Sequence, residues 1–333
     1  MTRNASAYPR LLADVGGTNV RFALESAPMR IGEVTGYKVA DFPSLEAAMR
    51  QYLQAQRADA VRHAAIGLAN PVTGDHVKLT NHNWAFSIEQ MRESLGLTTL
   101  VAINDFTSLA LALPWLPADA LAQVRAGTAV PTAPRALIGP GTGLGVSGLV
   151  PAPGGGAVAL AGEGGHIEIM PATDDEWIAW RAAHAELGRV SAERLLSGAG
   201  LSHIHAALSA EMGTPLAVPL APAQVTEGAV KHGDALCHRA FDVFCGLLGS
   251  VAADVALVLG ARGGVYIGGG IVPRFVDAFR ASPFSRRFAD KGRMSAYLAD
   301  IPVHVITAEF PALPGLARAL ADRLEGDMRH VHP

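Results

Sequence analysis

Residues 11–24 read Leu11-Leu12-Ala13-Asp14-Val15-Gly16-Gly17-Thr18-Asn19-Val20-Arg21-Phe22-Ala23-Leu24, and the fold is decided by how this stretch is read. An apolar run leads to an acid, two glycines turn the chain, and Val20, Phe22 and Leu24 alternate back out with the period of a strand. The pattern predicts a β-hairpin with two short polar side chains, Thr18 and Asn19, at its tip. Gly16 and Gly17 let the backbone take positive φ and come close to a bound group. Asp14 ends a buried strand, a poor place for a carboxylate unless something cationic is nearby. Two readings of the tip stand side by side. It is either a cradle of N–H groups for a phosphate tail with its magnesium at Asp14, or an ordinary hairpin with a polar end. It is not a GxxxxGK[ST] loop, and no helix follows at once as a dinucleotide fingerprint requires.

Outward from the hairpin, strand and helix signals alternate as in an α/β domain. A third strand is expected near 37–42, a helix from 44 to about 57 capped by Ser44, a strand at 64–68, a loop at 69–75, a helix at 87–95 and a strand at 99–103 ending in Asn104-Asp105. A second unit opens at Ala136 with the same logic: an apolar strand, a turn through Gly139-Pro140-Gly141-Thr142-Gly143, and a returning strand from Leu144. Helices follow at 174–187 and 191–196, then a Pro-punctuated connection at 211–222. A long apolar helix is expected at 235–260, with Gly246 and Gly249 marking close packing. A strand at 264–267 meets Gly268-Gly269-Gly270, a last strand falls at 302–306, and a Pro-interrupted helix at 311–325 closes the chain. Two such hairpins hint at an internal duplication with a ligand between the copies.

The 333 residues suit about two domains with real cores. With 50% hydrophobic and 17% charged residues the chain reads as globular, and a net charge of −3 offers no basic footprint for nucleic acid. Two cysteines, Cys237 and Cys245, spaced along one helix, exclude a disulfide framework and a CxxC zinc cluster. The apolar run 251–259 carries Asp254 and is too short to span a bilayer, so a cytoplasmic protein without membrane partners is expected.

Asn104-Asp105 lies at the C-terminal end of a buried strand, where open α/β sheets place ligands. Asp105 could accept a proton from a hydroxyl that Asn104 orients, or could simply cap a helix at 107–113. Gly162-Glu163-Gly164-Gly165-His166 puts an acid and an imidazole around two glycines, suited to gripping vicinal hydroxyls, or it is a plain polar turn. Gly268–Gly270 suits a flat adenine or ribose against bare backbone, or a turn needing positive φ. Ser197-Gly198-Ala199-Gly200 reads as a helix C-cap, and Glu193 as helix surface. His203 and His205 lie on different helix faces, His330 and His332 read as a polar tail, and Asn81-His82-Asn83-Trp84 is either a structural turn or a substrate contact.

Taken together, LLADVGGTNVRFAL, PVTGD, LTNHNWAFS, INDFTSLAL, GPGTGLGV, GEGGHIE, VSAERLLSGAG and GGVYIGGGIVPRF resemble the bacterial glucokinase family of the actin/hexokinase/Hsp70 superfamily, over nearly the whole chain. The resemblance implies two ribonuclease-H-like (actin-like ATPase) α/β domains with a ligand cleft between them, spanning 1–112 plus about 306–328, and 113–305. It implies phosphoryl transfer from MgATP to the 6-hydroxyl of glucose, in a homodimer, with ATP as co-substrate and Mg2+. Ala13, Asp14, Val15, Gly16, Gly17, Thr18 and Asn19 match the first phosphate loop, with Asp14 serving magnesium directly or through water. Thr142 and Gly143 match the second loop, and Gly268, Gly269 and Gly270 the adenosine segment. Asp105 matches the catalytic base, while Asn104, Asp105, Glu163, His166 and Glu193 match the sugar ligands; Glu193 is promoted by resemblance alone. The related ROK proteins carry a cysteine-rich zinc motif after the Gly-His pair; here Gly165-His166 is followed by Ile167-Glu168-Ile169-Met170-Pro171, so no zinc is expected. Pro314-Gly315-Leu316 is less glycine-rich than the family pattern, a departure expected to lie away from the catalytic set. The alternatives are a kinase for another hexose and a non-catalytic sugar sensor on the same fold.

Overall fold

A computed structural model describes residues 8–79, 83–153 and 155–331, with side chains to residue 326. The chain forms two compact units, one of Met1–Leu116, Val158–Ala161 and Ala308–Pro333, the other of Pro117–Ala157 and Gly162–Thr307.

In the first unit the opening stretch is a hairpin of β1 (Arg10–Val15) and β2 (Asn19–Ala27). It is followed by β3 (Arg30–Ile31), β4 (Thr35–Lys38), helix α1 (Leu45–Ala55), β5 (His63–Leu68), β6 (His76–Lys78), β7 (Ala85–Ser87), α2 (Ile88–Ser94), β8 (Thr99–Asn104) and α3 (Asp105–Ala112). The main sheet runs β3-β2-β1-β5-β8, with β4 also on β2. β1 pairs antiparallel with β2 but parallel with β5, which is in turn parallel to β8. β1 is covered on both faces, which is why it reads as a continuous apolar run. Leu11, Ala13 and Val15 enter one core with Tyr52 and Met49 of α1, and Leu12 enters another with Leu313, Leu316 and Leu320 of the C-terminal helix (Leu313–Val331).

The second unit repeats this plan. β9 (Leu121–Arg125), β10 (Arg135–Pro140) and β11 (Leu144–Pro151) share a sheet with strands Val265–Ile267 and Val303–Ile306. The β10–β11 hairpin is antiparallel, and β10, Val265–Ile267 and Val303–Ile306 run parallel, as β2-β1-β5-β8 do in the first unit. Around it lie α4 (Asp174–Leu187), α5 (Ala192–Leu195), α6 (Gly198–Glu211), α7 (Pro222–Lys231), α8 (Ala235–Leu259), α9 (Val276–Ala281) and α10 (Phe284–Ala289). The 25 residues of α8 are long and apolar enough by composition to cross a membrane, more than the run 251–259 suggested. However, 67% of its most apolar window is buried, packed on α6, α7 and α10. Gly249 allows that packing, because a Cβ there would come within 2.5 Å of Phe284 O.

Gly16 and Gly17 are not among the positive-φ glycines; Gly16 N–H donates to Asn19 O at 3.0 Å and closes the turn with ordinary backbone. Several local expectations are corrected. The strand near 37–42 stops at Lys38, since β2 begins at Asn19 opposite it, and Val39–Asp41 is a single 3-10 turn. Ser197 is an N-cap rather than part of a C-cap: its extended backbone starts α6, and its Oγ accepts from Gly200 N–H at 3.2 Å. The C-terminal helix is unbroken, because Pro314 falls in its first turn, where an N–H has no partner to lose.

Candidate active site

The first hairpin places Thr18 and Asn19 exposed at its tip, while Ala13 and Val15 are buried and serve to hold Asp14. The strand register puts Asp14 opposite Arg21, whose Nη1 lies 3.3 Å from Asp14 Oδ2. Arg21 is therefore a cation beside Asp14 that the sequence reading did not single out, although hairpin register counted outward from the turn would have found it. Burial pushes the Asp14 carboxyl above its usual range, and Arg21 pulls it only partly back.

At the end of parallel strand β8, the capping role foreseen for Asp105 falls to its neighbour Asn104. Asn104 is the cap: its Oδ1 accepts from Phe106 N–H at 2.9 Å and Thr107 N–H at 3.1 Å. Asp105 instead opens α3 as its first residue, which corrects the helix start expected at 107. Asn104 Nδ2 donates to Asp105 Oδ1 at 3.0 Å, and Phe106 N–H donates to the same oxygen at 2.9 Å. Both bonds fall on Oδ1 and hold that oxygen of the carboxylate in place. Gly315 meets α3 at Ser108, one turn beyond Asp105, and touches none of the expected site residues. The C-terminal helix packs on α3, a Cβ at Gly315 would overlap Ser108 O, and Ser108 Oγ donates to Ala312 O at 2.8 Å.

In the second unit three expected sugar residues converge on the start of β11. Glu163 and His166 are exposed at the two ends of one turn, with His166 N–H donating to Glu163 O at 3.1 Å. That turn lies against β11 because Gly164 and Gly165 have no side chain: a Cβ on Gly164 would sit 2.8 Å from Val146 Cγ1, and one on Gly165 would overlap Leu144 O. Glu193, on α5, reaches the same residue from the other side, its Oε2 accepting from Leu144 N–H at 2.9 Å. A backbone bridge between Glu168 and Ser191, with Ala192 N–H donating to Ile167 O at 2.7 Å, ties the two segments together.

Thr142 is exposed at the tip of the β10–β11 hairpin, and Gly141 N–H donates to Gly143 O at 2.8 Å. The triple glycine joins this tip. Gly268 N–H donates to Ile138 O at 2.9 Å, Gly269 takes φ +81° where its Cβ would overlap Pro140 O, and Gly270 stands in open space. The hairpin tip at Thr142 and the triple glycine are thus neighbours, and the bare backbone at Gly270 leaves room for a flat group. Among the described residues no group of three or more His, Cys, Asp or Glu could hold a metal ion. A magnesium carried on phosphates takes one or two carboxylates and otherwise phosphate oxygens and water, so one part-buried carboxylate such as Asp14 is chemically compatible with it.

Trp84 is buried and its Nε1 donates to Phe42 O at 3.2 Å, while Asn81 and His82 lie outside the described residues, as does His332 and the side chain of His330. His203 Nε2 lies 3.3 Å from Ala179 O, and His205 is buried.

The sequence profile of the family described as Glucokinase matches residues 11–323. A glucokinase of Cupriavidus metallidurans is 79% identical over 332 residues, covering 99% of this chain and 98% of that protein. A glucokinase of Chromobacterium violaceum is 59% identical, covering 96% of this chain and 91% of the relative. Among solved structures, a glucokinase from an Antarctic psychrotroph superposes with a TM-score of 0.84 at 36% identity, covering 94% of this chain and 99% of that one.

Proposed function

The chain belongs to the glucokinase family, and from that premise we propose that it transfers the γ-phosphoryl group of MgATP to the 6-hydroxyl of D-glucose, with Asp105 as the base. It is an ATP-dependent hexose kinase with the actin-like ATPase fold. Asp105 takes the hydroxyl proton as attack proceeds, and Asn104 holds one oxygen of its carboxylate in place for that transfer. Glu163, His166 and Glu193 give and accept hydrogen bonds to the ring hydroxyls, which would cost free energy if buried without partners. Thr18, Asn19, Thr142 and Gly143 cradle the phosphates, and Gly268, Gly269 and Gly270 face adenosine. Asp14 would hold a magnesium ion carried on the triphosphate, and that ion would supply positive charge against the charge on the phosphate oxygens. With no covalent intermediate to form, the protein's share of the catalysis is positioning and electrostatics. The protein is proposed to act in the cytoplasm as a homodimer.

The observation that carries this reading is the Asp105 carboxylate fixed through Oδ1 at the start of α3, at the end of a parallel strand where such sheets bind ligands. Asp105→Ala should abolish glucose phosphorylation while calorimetry still registers glucose binding. A near-normal kcat in that variant overturns the assignment. Rates across glucose, mannose, fructose and N-acetylated amino sugars test the choice of hexose.

A further inference from the structure

Gly143 lies on the second phosphate hairpin, yet what its missing side chain makes room for is not a phosphate. A Cβ built there would overlap Glu193 Oε2 and stand 3.3 Å from Glu193 Cδ. The next residue, Leu144, donates its N–H to that same oxygen at 2.9 Å. Gly143 and Leu144 together form a slot of bare backbone that receives one oxygen of a half-buried carboxylate 49 residues further along the chain. The other oxygen, Oε1, accepts no hydrogen bond from any described residue. A carboxylate fixed through one oxygen presents the other in a set direction, which a hydroxyl ligand can exploit without ordering the side chain on binding.

We infer that Gly143 is a positioning residue for the sugar: it keeps open the slot in which Leu144 N–H orients Glu193 toward a substrate hydroxyl. The inference rests on the reading of Glu193 as a sugar ligand and goes beyond it. The phosphate hairpin does not only face the nucleotide; it also sets the geometry of the sugar site behind it.

Gly143→Ala separates the two roles. Gly143 does not take a left-handed backbone, and the obstructing atom is the far end of a flexible side chain, so the variant should fold and Glu193 should be displaced. The expected result is a rise of about tenfold or more in the glucose Kd by calorimetry, the scale of one lost hydrogen bond to a charged group. The Kd of a non-hydrolysable ATP analogue is the comparison: alanine keeps the residue 143 backbone N–H, so analogue binding should weaken at least about threefold less than glucose binding. In a Glu193→Ala background the added Gly143→Ala should have little further effect on glucose, because the group it displaces is gone. Hydrogen exchange supplies a second readout: the Leu144 amide should lose protection in Gly143→Ala and in Glu193→Ala alike. Weakened analogue binding with unchanged glucose binding, additive effects in the double variant, or a Leu144 amide indifferent to Glu193 would overturn the inference. Wild-type phosphorylation of glucose is measured first. If it is absent the functional reading fails; if it is present and the split is not seen, only the role of Gly143 fails.

Discussion

Asn104 performs two separable tasks, and removing them one at a time tests the reading of the base. Its Oδ1 caps α3 through Phe106 and Thr107, and loss of such a cap costs about 1 kcal/mol, within a range of about 0.5–2. Its Nδ2 holds Asp105 Oδ1 at 3.0 Å and also points at the carbonyls of Leu68 and Asn70, both at 3.4 Å. A hydrogen bond to a charged group is worth about 1.5–3 kcal/mol. At about 1.4 kcal/mol per decade, that is roughly 10- to 150-fold in kcat/KM. Asn104→Ser keeps a side-chain oxygen able to cap but has no amide to reach Asp105. It should therefore stay within about 0.5 kcal/mol of wild type in urea unfolding, while losing at least about tenfold in kcat/KM for glucose. Asn104→Ala should show the same kinetic loss and, in addition, about 1 kcal/mol of instability. If Asn104→Ser is as unstable as Asn104→Ala, the cap is not the source of the stability. If Asn104→Ser keeps its kcat/KM within about twofold, the amide does not position the base.

Gly315→Ala places a methyl group on Ser108 O and 3.0 Å from Ala112 N, both backbone atoms that cannot turn aside. It should cost about 1–3 kcal/mol in thermal or urea unfolding and weaken glucose binding too, because the displaced α3 begins at Asp105; unchanged stability would show that the two helices are not in tight contact. His304 is half-buried, stacks on Tyr266 with ring centroids 5.5 Å apart, and is held by burial below its ordinary value of 6.5. Its folded-state pKa lies below that of the unfolded chain, so the stability it supports is complete above about pH 6.5 and is lost as pH falls through the folded value. His63 and His205 shift in the same direction, again mainly through burial. His304→Phe should lose less stability between pH 7.5 and pH 5 than wild type, and an equal loss in urea titrations at the two values would refute the assignment.

Much of the fold is written in short-range chemistry. The alternation from Val20 to Leu24, the Ser44 cap and the glycine turn before Leu144 each act within a few residues, so each could be read from neighbours alone. The polar tips, Asn104-Asp105 and the Glu163–His166 turn were visible for the same reason: their residue types and spacing are unusual for a plain turn. Glu193 was not visible by itself, because an acid on a short helix looks like surface until its distant partner is known. What distinguishes it is an N–H on Leu144, brought to it by a bridge between Glu168 and Ser191. Gly143, Gly165 and Gly315 share this property, since a glycine in a sequence does not say which atom fills the space of its absent side chain. Sequence by itself determined the two hairpins, many of the strands and helices around them and the residue types at the site, because those follow from local periodicity and backbone preference. Only the tertiary structure decided which backbone N–H orients which carboxylate, because those contacts join segments that the chain holds far apart.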